Sequence, residues 1–506
     1  MTTIPGILYA NAAKWPDRDA LIATCRGRDT RLTFAGLRAA ADCFAADLSC
    51  RGIRRGDAVL VFVPMSLELY VALLGIFRLG AVAVFLDPTS GLRHINDCCR
   101  RLPPSALISV WPLRWARWFV RGLRKIPLVL APPKLLPQPV PVEFPGYPSP
   151  DDAALITFTS GSTGKPKSVV RTHRFLIAQH DVLKQSISLE PGSCDLTTLP
   201  VFVLANLASG ITSILPDAKI SHPGAVDVRR LSKQVRRLNP TRSCGSPAFF
   251  QRLTGDPSLL SGLRKIYVGG APVFPALLQN LQNIVPDCQV VAVYGSSEAE
   301  PIAHIACSEI ASADWQSMRE GRGLLAGLPV PAIRLRIVSD QWGRVIAQSS
   351  SLLPRGIGEI IVTGDHVLKA YLHGEGDEET KTSIEGEVWH RTGDAGYLDV
   401  QGRLWLLGRC SARIQDAKGT LYPFAVECVA MSFSFVRRAA FVSVGGKRVL
   451  AVEGAAPISR GNLTALQSAL LWAPVDEVRQ VRRIPVDARH NAKVNYPVLL
   501  RLLNRV

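Results

Sequence analysis

Apolar residues in the first part of the chain recur at helical spacing and then gather into short unbroken runs. The periodicity predicts a helix around residues 33–48, a strand over 58–63 and a second helix beginning near Ser66. Alternation of this kind predicts α/β layers around a largely parallel sheet. The longest apolar run, residues 67–86, contains Glu68, Arg78 and two glycines, so it reads as a buried helix followed by a buried strand and not as a membrane span. Further on, the apolar runs 265–268 and 289–294 each end in glycine, the place where α/β sheets bind ligands. After Gly327 the runs shorten and are punctuated by glycine, as at 359–363 and 404–407, which predicts a β-rich subdomain.

Two stretches break this rhythm. Residues 111–125 set Trp111, Trp115, Trp118 and Phe119 on one helical face and Arg114, Arg117, Arg121 and Arg124 on the adjacent one. That is the pattern of a membrane-surface helix, although a surface helix burying its tryptophans in the domain is the favoured expectation. Residues 132–150 contain eight prolines and read as a stiff connector.

Composition narrows the class. A chain of 506 residues, 47% hydrophobic and 20% charged, is globular and long enough for two or three domains. Eleven cysteines form no Cys-x-x-Cys pair, and no basic then apolar segment opens the chain, so a reduced, cytoplasmic protein is expected. No His-Glu-x-x-His occurs, so no zinc site is expected. The net charge of +18, half of it carried by residues 409–506, favours anionic partners. Nucleic acid is not among those expected, because no aromatic-basic strand motif or recognition helix accompanies the charge.

The candidate chemistry begins where the apolar run ending at Phe158 gives way to Thr159-Ser-Gly-Ser-Thr-Gly-Lys-Pro-Lys167. Glycines let the backbone approach an anion, so N–H groups, hydroxyls and a lysine ammonium can converge on phosphate. The loop is not a Walker A motif, which needs glycine at position 159 and a helix that Pro166 blocks. Taken alone, it could equally be an ordinary hairpin turn.

Together with Gly269-Gly-Ala-Pro272, Tyr294-Gly-Ser-Ser-Glu298, Arg391-Thr-Gly-Asp-Ala-Gly-Tyr-Leu398, Gly408-Arg409 and Lys493, this loop resembles the adenylate-forming superfamily of acyl-CoA ligases, adenylation domains and luciferases. The resemblance implies an α/β fold. A large AMP-binding domain would span 1–408, with two α/β subdomains and a β-rich one, and a small, mobile α+β lid domain would span 409–506. It implies ATP and Mg²⁺, and attack of a carboxylate on the α-phosphate. Thr159, Ser160, Gly161, Ser162, Thr163, Gly164 and Lys167 would then hold phosphates, and Glu298 would ligate Mg²⁺. Gly269, Gly270, Ala271, Tyr294, Gly295 and Ser297 would surround the adenine, Asp394 and Arg409 the ribose, and Lys493 would reach the reacting groups. Lys493, Glu298 and Lys167 are the expected catalytic residues.

The departures from the superfamily pattern are informative. No histidine follows Phe202 in Leu199-Pro-Val-Phe-Val-Leu-Ala-Asn206, and Asn491-Ala-Lys493-Val replaces a Ser-Gly-Lys-Ile type of ending. Both are similar to the β-lactone synthetase branch of olefin biosynthesis, in which a β-hydroxy acid is adenylated and its own hydroxyl displaces AMP. Phe202, Asn206 and Glu300 are the expected acyl-pocket residues. Two alternatives stay open: a ligase delivering the acyl group to coenzyme A or acyl carrier protein, and a non-catalytic nucleotide- or partner-binding protein. Partners expected beyond the acyl substrate are a thiolase-like condensing enzyme, a lactone decarboxylase or acyl carrier protein; the less favoured reading of 111–125 would add peripheral membrane contact.

Overall fold

The computed structural model describes residues 3–86, 91–111, 115–135, 146–160, 166–220, 222–343, 356–487 and 493–504. The chain divides into two compact units: the first comprises Met1–Ile220, Arg229–Arg242 and Asp365–Asp377, the second Ser221–Val228, Ser243–Gly364 and Glu378–Val506.

In the first unit a six-stranded sheet runs in the order Leu128–Leu130, Ala106–Ser109, Ala58–Phe62, Val82–Phe85, Ala153–Ser160, Pro166–Thr172. The first five strands are parallel and the last returns antiparallel. The helix Phe34–Cys50 starts where Thr33 accepts the amide of Gly36, and the helix Leu67–Leu79 where Ser66 accepts that of Leu69. Gly80, in the left-handed conformation, ends the second helix. These are the elements that the apolar periodicity predicts, displaced by one or two residues, and both helices bury their apolar faces in one core. Beside them the strands Cys194–Thr197, Thr212–Leu215, Asp19–Cys25 and Arg28–Thr33 pair in that order, the last antiparallel.

The 111–125 segment differs from the favoured expectation. Its described residues form two short turns, Ala116–Phe119 and Arg121–Arg124, and not one continuous helix. Trp111, Trp115, Trp118 and Phe119 are all exposed. Of the proline-rich connector, 136–145 lie outside the described residues; 131–135 and 146–150 form no helix or strand. Among the described residues no helix is long and apolar enough to cross a membrane.

In the second unit the strands Lys265–Val268 and Gln289–Ser296 are parallel, and Ala299–Ala306 returns antiparallel beside them. The sheet continues through Leu324–Pro329, Leu404–Arg409, Glu387–Leu398, Gly358–Thr363 and Arg334–Val338, all antiparallel. The region after Gly327 is β-rich, as expected, but its strands are not the shorter ones: Glu387–Leu398 has 12 residues, against 8 in Ala153–Ser160, the longest strand of the six-stranded sheet. A three-stranded sheet, Val436–Val444, Lys447–Gly454 and Glu477–Gln480, packs with the helices Pro423–Met431 and Arg460–Ala469 around its own apolar cluster.

One buried ion pair braces the β-rich region. Arg391 Nη2 lies 2.7 Å from Glu359 Oε2 across adjacent strands, both side chains are almost wholly buried, and Trp342 lies over the guanidinium at 5.3 Å. Removing one partner strands a charge away from water. Arg391→Met should therefore lower unfolding free energy by about 3–5 kcal/mol in denaturant titration, and Arg391→Met with Glu359→Leu should regain much of it.

Candidate functional site

Three strands of the second unit deliver the central residues. Tyr294 stands near the end of Gln289–Ser296, and its hydroxyl donates to Asp394 Oδ2 at 2.8 Å. Asp394 lies on Glu387–Leu398 directly opposite Arg409 on Leu404–Arg409. Arg409 Nε approaches Asp394 Oδ1 at 3.1 Å, and its Nη1 donates to the Thr392 carbonyl at 3.0 Å. Gly393 sets this geometry: its φ is 68°, and a Cβ there would come within 2.8 Å of the Trp342 ring.

The carboxylate is thus held from both sides while keeping acceptor capacity, since two carboxylate oxygens offer about four lone-pair sites. Burial, with Asp394 alongside, pushes the Tyr294 phenol well above its ordinary value. Asp394 raises Arg409 in turn, so the guanidinium is firmly cationic.

These residues open onto a cavity of about 310 Å³. Gly270, Ala271, Tyr294, Gly295, Asp394, Arg409 and Lys493 all line it. Residues predicted from separate motifs, spread over more than two hundred positions, therefore share one wall. Lys493 is exposed, and its backbone N–H donates to Asp487 Oδ1 at 2.8 Å. Gly269 lies one residue before the lining, its amide donating to the Gly245 carbonyl at 3.1 Å.

Glu298 and Ser297 form the tight turn that joins Gln289–Ser296 to Ala299–Ala306, and the Glu298 amide donates to Ser296 Oγ at 3.3 Å. Glu298 is half-buried, and its charge reaches both Arg409 and His390. No cluster of three metal-ligating side chains occurs among the described residues. A single carboxylate is a suitable donor set for Mg²⁺, which keeps several waters and completes its shell with substrate phosphates. Glu300 sits on the returning strand, its Cα 3.2 Å from where a Cβ on Gly295 would be, and is not among the cavity-lining residues.

The described residues of the expected phosphate loop belong to the first unit. Thr159 pairs with Lys167 and Ser160 with Pro166 across an antiparallel hairpin. Gly161, Ser162, Thr163 and Gly164 lie outside the described residues. Lys167 is buried, its ammonium 5.8 Å from the Tyr371 ring centroid and its stem against Gly376.

Phe202 and Asn206 lie on the helix Pro200–Ala208, both buried. The Asn206 amide donates to Asp195 Oδ2 at 2.9 Å and to Ser213 Oγ at 3.0 Å, beside the buried Asp195–Arg242 pair. Its side chain is committed to this polar network in the core. Two polar ends meeting inside the unit set its direction, and a helical-period reading does not register that.

Sequence motifs mark Arg409 and Lys493 in the C-terminal segment but not four further residues that it contributes. Glu427, Arg437, Arg438 and Tyr496 line the same cavity. Glu427 was legible as a lone carboxylate within the apolar helix Pro423–Met431. It accepts the Phe441 amide at 3.0 Å and the Tyr496 hydroxyl at 3.3 Å. Burial pushes its carboxyl up to about 7.

The sign of the pH effect follows. Between about pH 4.5 and about 7 the native protein keeps a proton that the unfolded chain has lost, so stability is given up as pH rises through that window. Glu427→Gln retains an acceptor oxygen and removes the titration. In thermal melts from about pH 5 to about pH 8, the variant should gain on the parent protein as pH rises, reaching a difference of ~2 kcal/mol.

The AMP-binding enzyme family matches residues 8–372. An olefin beta-lactone synthetase of Xanthomonas campestris pv. campestris is 31% identical over 92% of this chain and 90% of its own. One from Stenotrophomonas maltophilia is 32% identical over 96% and 94%. Among solved structures, the amide bond synthetase of Marinactinospora thermotolerans shares the fold with a TM-score of 0.81, 22% identity and 99% coverage of both chains. The O-succinylbenzoate coenzyme A synthetase of Bacillus subtilis, solved with AMP, has a TM-score of 0.78, 23% identity and 97% coverage of both. Family match, near-full-length relatives and the wall shared by Tyr294, Asp394, Arg409 and Lys493 lead to one assignment: the chain belongs to the AMP-binding enzyme family, within the adenylate-forming superfamily.

Proposed function

We propose that this enzyme adenylates the carboxylate of a β-hydroxy fatty acid with ATP and then closes the acyl adenylate to a β-lactone. The observation that carries the first half is the convergence of Tyr294, Asp394, Arg409 and Lys493 on one cavity. The second half is supported by near-full-length similarity to two olefin beta-lactone synthetases, at 31% and 32% identity.

In this reading Asp394 accepts the ribose hydroxyls with the oxygen capacity that Tyr294 and Arg409 leave open, and the Tyr294 ring packs against adenine beside the Gly270–Ala271 backbone. Thr159, Ser160, Gly161, Ser162, Thr163, Gly164 and Lys167 grip the β- and γ-phosphates. Glu298 holds Mg²⁺, which when bound neutralises charge on the phosphate oxygens. Lys493 places an ammonium beside the α-phosphate and the incoming carboxylate. It stabilises the charge that builds up as the carboxylate oxygen bonds to phosphorus and pyrophosphate leaves. Residues 409–506 act as a small mobile domain over the 1–408 AMP-binding domain, so Lys493 can enter and withdraw between steps.

Lactone closure then needs no second substrate. The β-hydroxyl oxygen attacks the acyl carbon, the carbon–oxygen bond to AMP breaks, and the hydroxyl proton is lost. A tethered nucleophile replaces a bimolecular encounter, the advantage of enforced proximity. A thioester product is the competing reading, because 2-succinylbenzoate–CoA ligases also align over most of the chain at 27% to 28% identity.

Purified enzyme with ATP, Mg²⁺ and a synthetic 2-alkyl-3-hydroxy acid, with no thiol present, should yield AMP, pyrophosphate and a β-lactone detectable by NMR. AMP release that appears only on adding coenzyme A or a phosphopantetheine carrier would sink the lactone assignment and leave adenylation standing. Lys493→Ala should slow ATP–pyrophosphate exchange by roughly 10²-fold or more, the scale of losing one charge-stabilising donor. Asp394→Ala should act mainly through a raised KM for ATP, because the contact it loses is to the nucleotide in ground and transition states alike.

A further inference from the structure

The adenylation chemistry leaves the segment around residues 111–125 without a role. Four large aromatic side chains there face solvent: Trp111 is 69% exposed, Trp115 56%, Trp118 61% and Phe119 79%. Isolated exposed apolar residues need no explanation, but four within nine positions form a patch that water disfavours. Trp111 and Trp115 meet edge to face at 6.1 Å, and the Arg117 guanidinium lies 5.7 Å from the Trp118 ring.

The patch is fixed to the fold. The turn Arg121–Arg124, which follows the aromatics, packs on the helix Leu92–Arg101, and the Gly122 amide donates to Asn96 Oδ1 at 2.6 Å. A Cβ on Gly122 would lie 2.8 Å from the Cys99 Cβ, so only glycine allows this close approach. Leu123 and Val120 anchor the turn in the underlying core.

Where helix and turn meet, a groove is lined by Arg93, Asn96, Asp97, Arg100, Arg121 and Lys125. Asp97 pairs with Arg100, and the remaining charges in the groove are positive. Arg93, Arg121, Arg124 and Lys125 are all exposed. Exposed aromatic rings next to a cationic groove match a bilayer interface in two independent respects. Tryptophan is enriched at the headgroup level, where an amphipathic ring has an apolar and a wet side. Lysine and arginine near the surface are drawn to anionic headgroups.

We propose that this face docks the enzyme on an anionic lipid bilayer, with Trp111, Trp115, Trp118 and Phe119 entering the interfacial zone and the groove cations meeting lipid phosphates. Binding that combines buried apolar area with charge attraction depends on both lipid composition and salt. The inference concerns the surface alone and stands whether the product is lactone or thioester.

The test uses the full-length protein with unilamellar vesicles of phosphatidylcholine alone and of phosphatidylcholine mixed with phosphatidylglycerol. Co-sedimentation should favour the anionic vesicles and weaken at high salt, and tryptophan emission should shift to the blue on binding. W118S/F119S and R121E/K125E should each reduce partitioning by about tenfold or more. Adenylation of a short, soluble acid and the melting temperature should be unchanged, because these side chains lie on the surface. W111S/W115S replaces the first variant if that one melts early.

Equal partitioning of the parent protein on neutral and anionic vesicles would overturn the proposal. So would binding that neither charge reversal nor aromatic removal affects. Loss of association with another soluble protein in these variants, with no vesicle binding by the parent, would reassign the face to a protein interface.

Discussion

The Asp394 carboxylate, held between a phenol and a guanidinium, is the interaction around which the site is arranged. Tyr294 reaches it from one strand and Arg409 from another, at 2.8 Å and 3.1 Å. Each contact depends on register, since Asp394 and Arg409 are direct cross-strand partners and a slip of one residue would turn one of them to the opposite face. Behind this triad, the buried Arg391–Glu359 pair fixes the same strand three residues earlier, and Gly393 turns the backbone between the two. Positional accuracy at the Asp394 end of the cavity is therefore supplied by the sheet, with little left to loop conformation.

The cavity also gathers charge from the C-terminal part of the chain. Lys493, Arg437 and Arg438 bring cations to its lining, which suits a polyanionic nucleotide. Glu427 is the exception, a carboxyl raised by burial and bonded to the Phe441 amide and the Tyr496 hydroxyl. Those bonds tie the helix Pro423–Met431 to the strand Val436–Val444 and to the helix Tyr496–Leu503, which begins three residues after Lys493. Glu427 thus belongs to the framework that delivers the lysine. The strong positive balance of residues 409–506 is consistent with a segment that works on phosphates.

A different physical logic governs the aromatic face. There Gly122 and the buried Leu123 hold the turn Arg121–Arg124, directly after aromatic side chains that remain in water. Nothing in the adenylation chemistry requires that arrangement. Exposed tryptophans beside arginines are stable only at modest cost when each ring is partly covered, as Arg117 covers Trp118, and they become favourable when an amphipathic phase receives them.

Much of this protein was legible from residue order alone. The helices starting near Thr33 and Ser66, the α/β alternation and the glycine that follows the strand Lys265–Val268 are set by local rules of propensity and period, and the structure retains them, whereas Gln289–Ser296 runs on through Gly295. Motif order also marked Gly270, Tyr294, Asp394, Arg409 and Lys493, which the structure brings to one cavity. Tertiary structure decided what depends on direction and on distant partners. It turned Asn206 into the core toward Asp195 and Ser213, brought Glu427 and Tyr496 to the cavity wall, and left Trp115 and Trp118 in solvent where helical periodicity favoured burial. Periodicity records which residues share a face of an element. Only packing against the rest of the chain determines whether that face meets core, ligand or water.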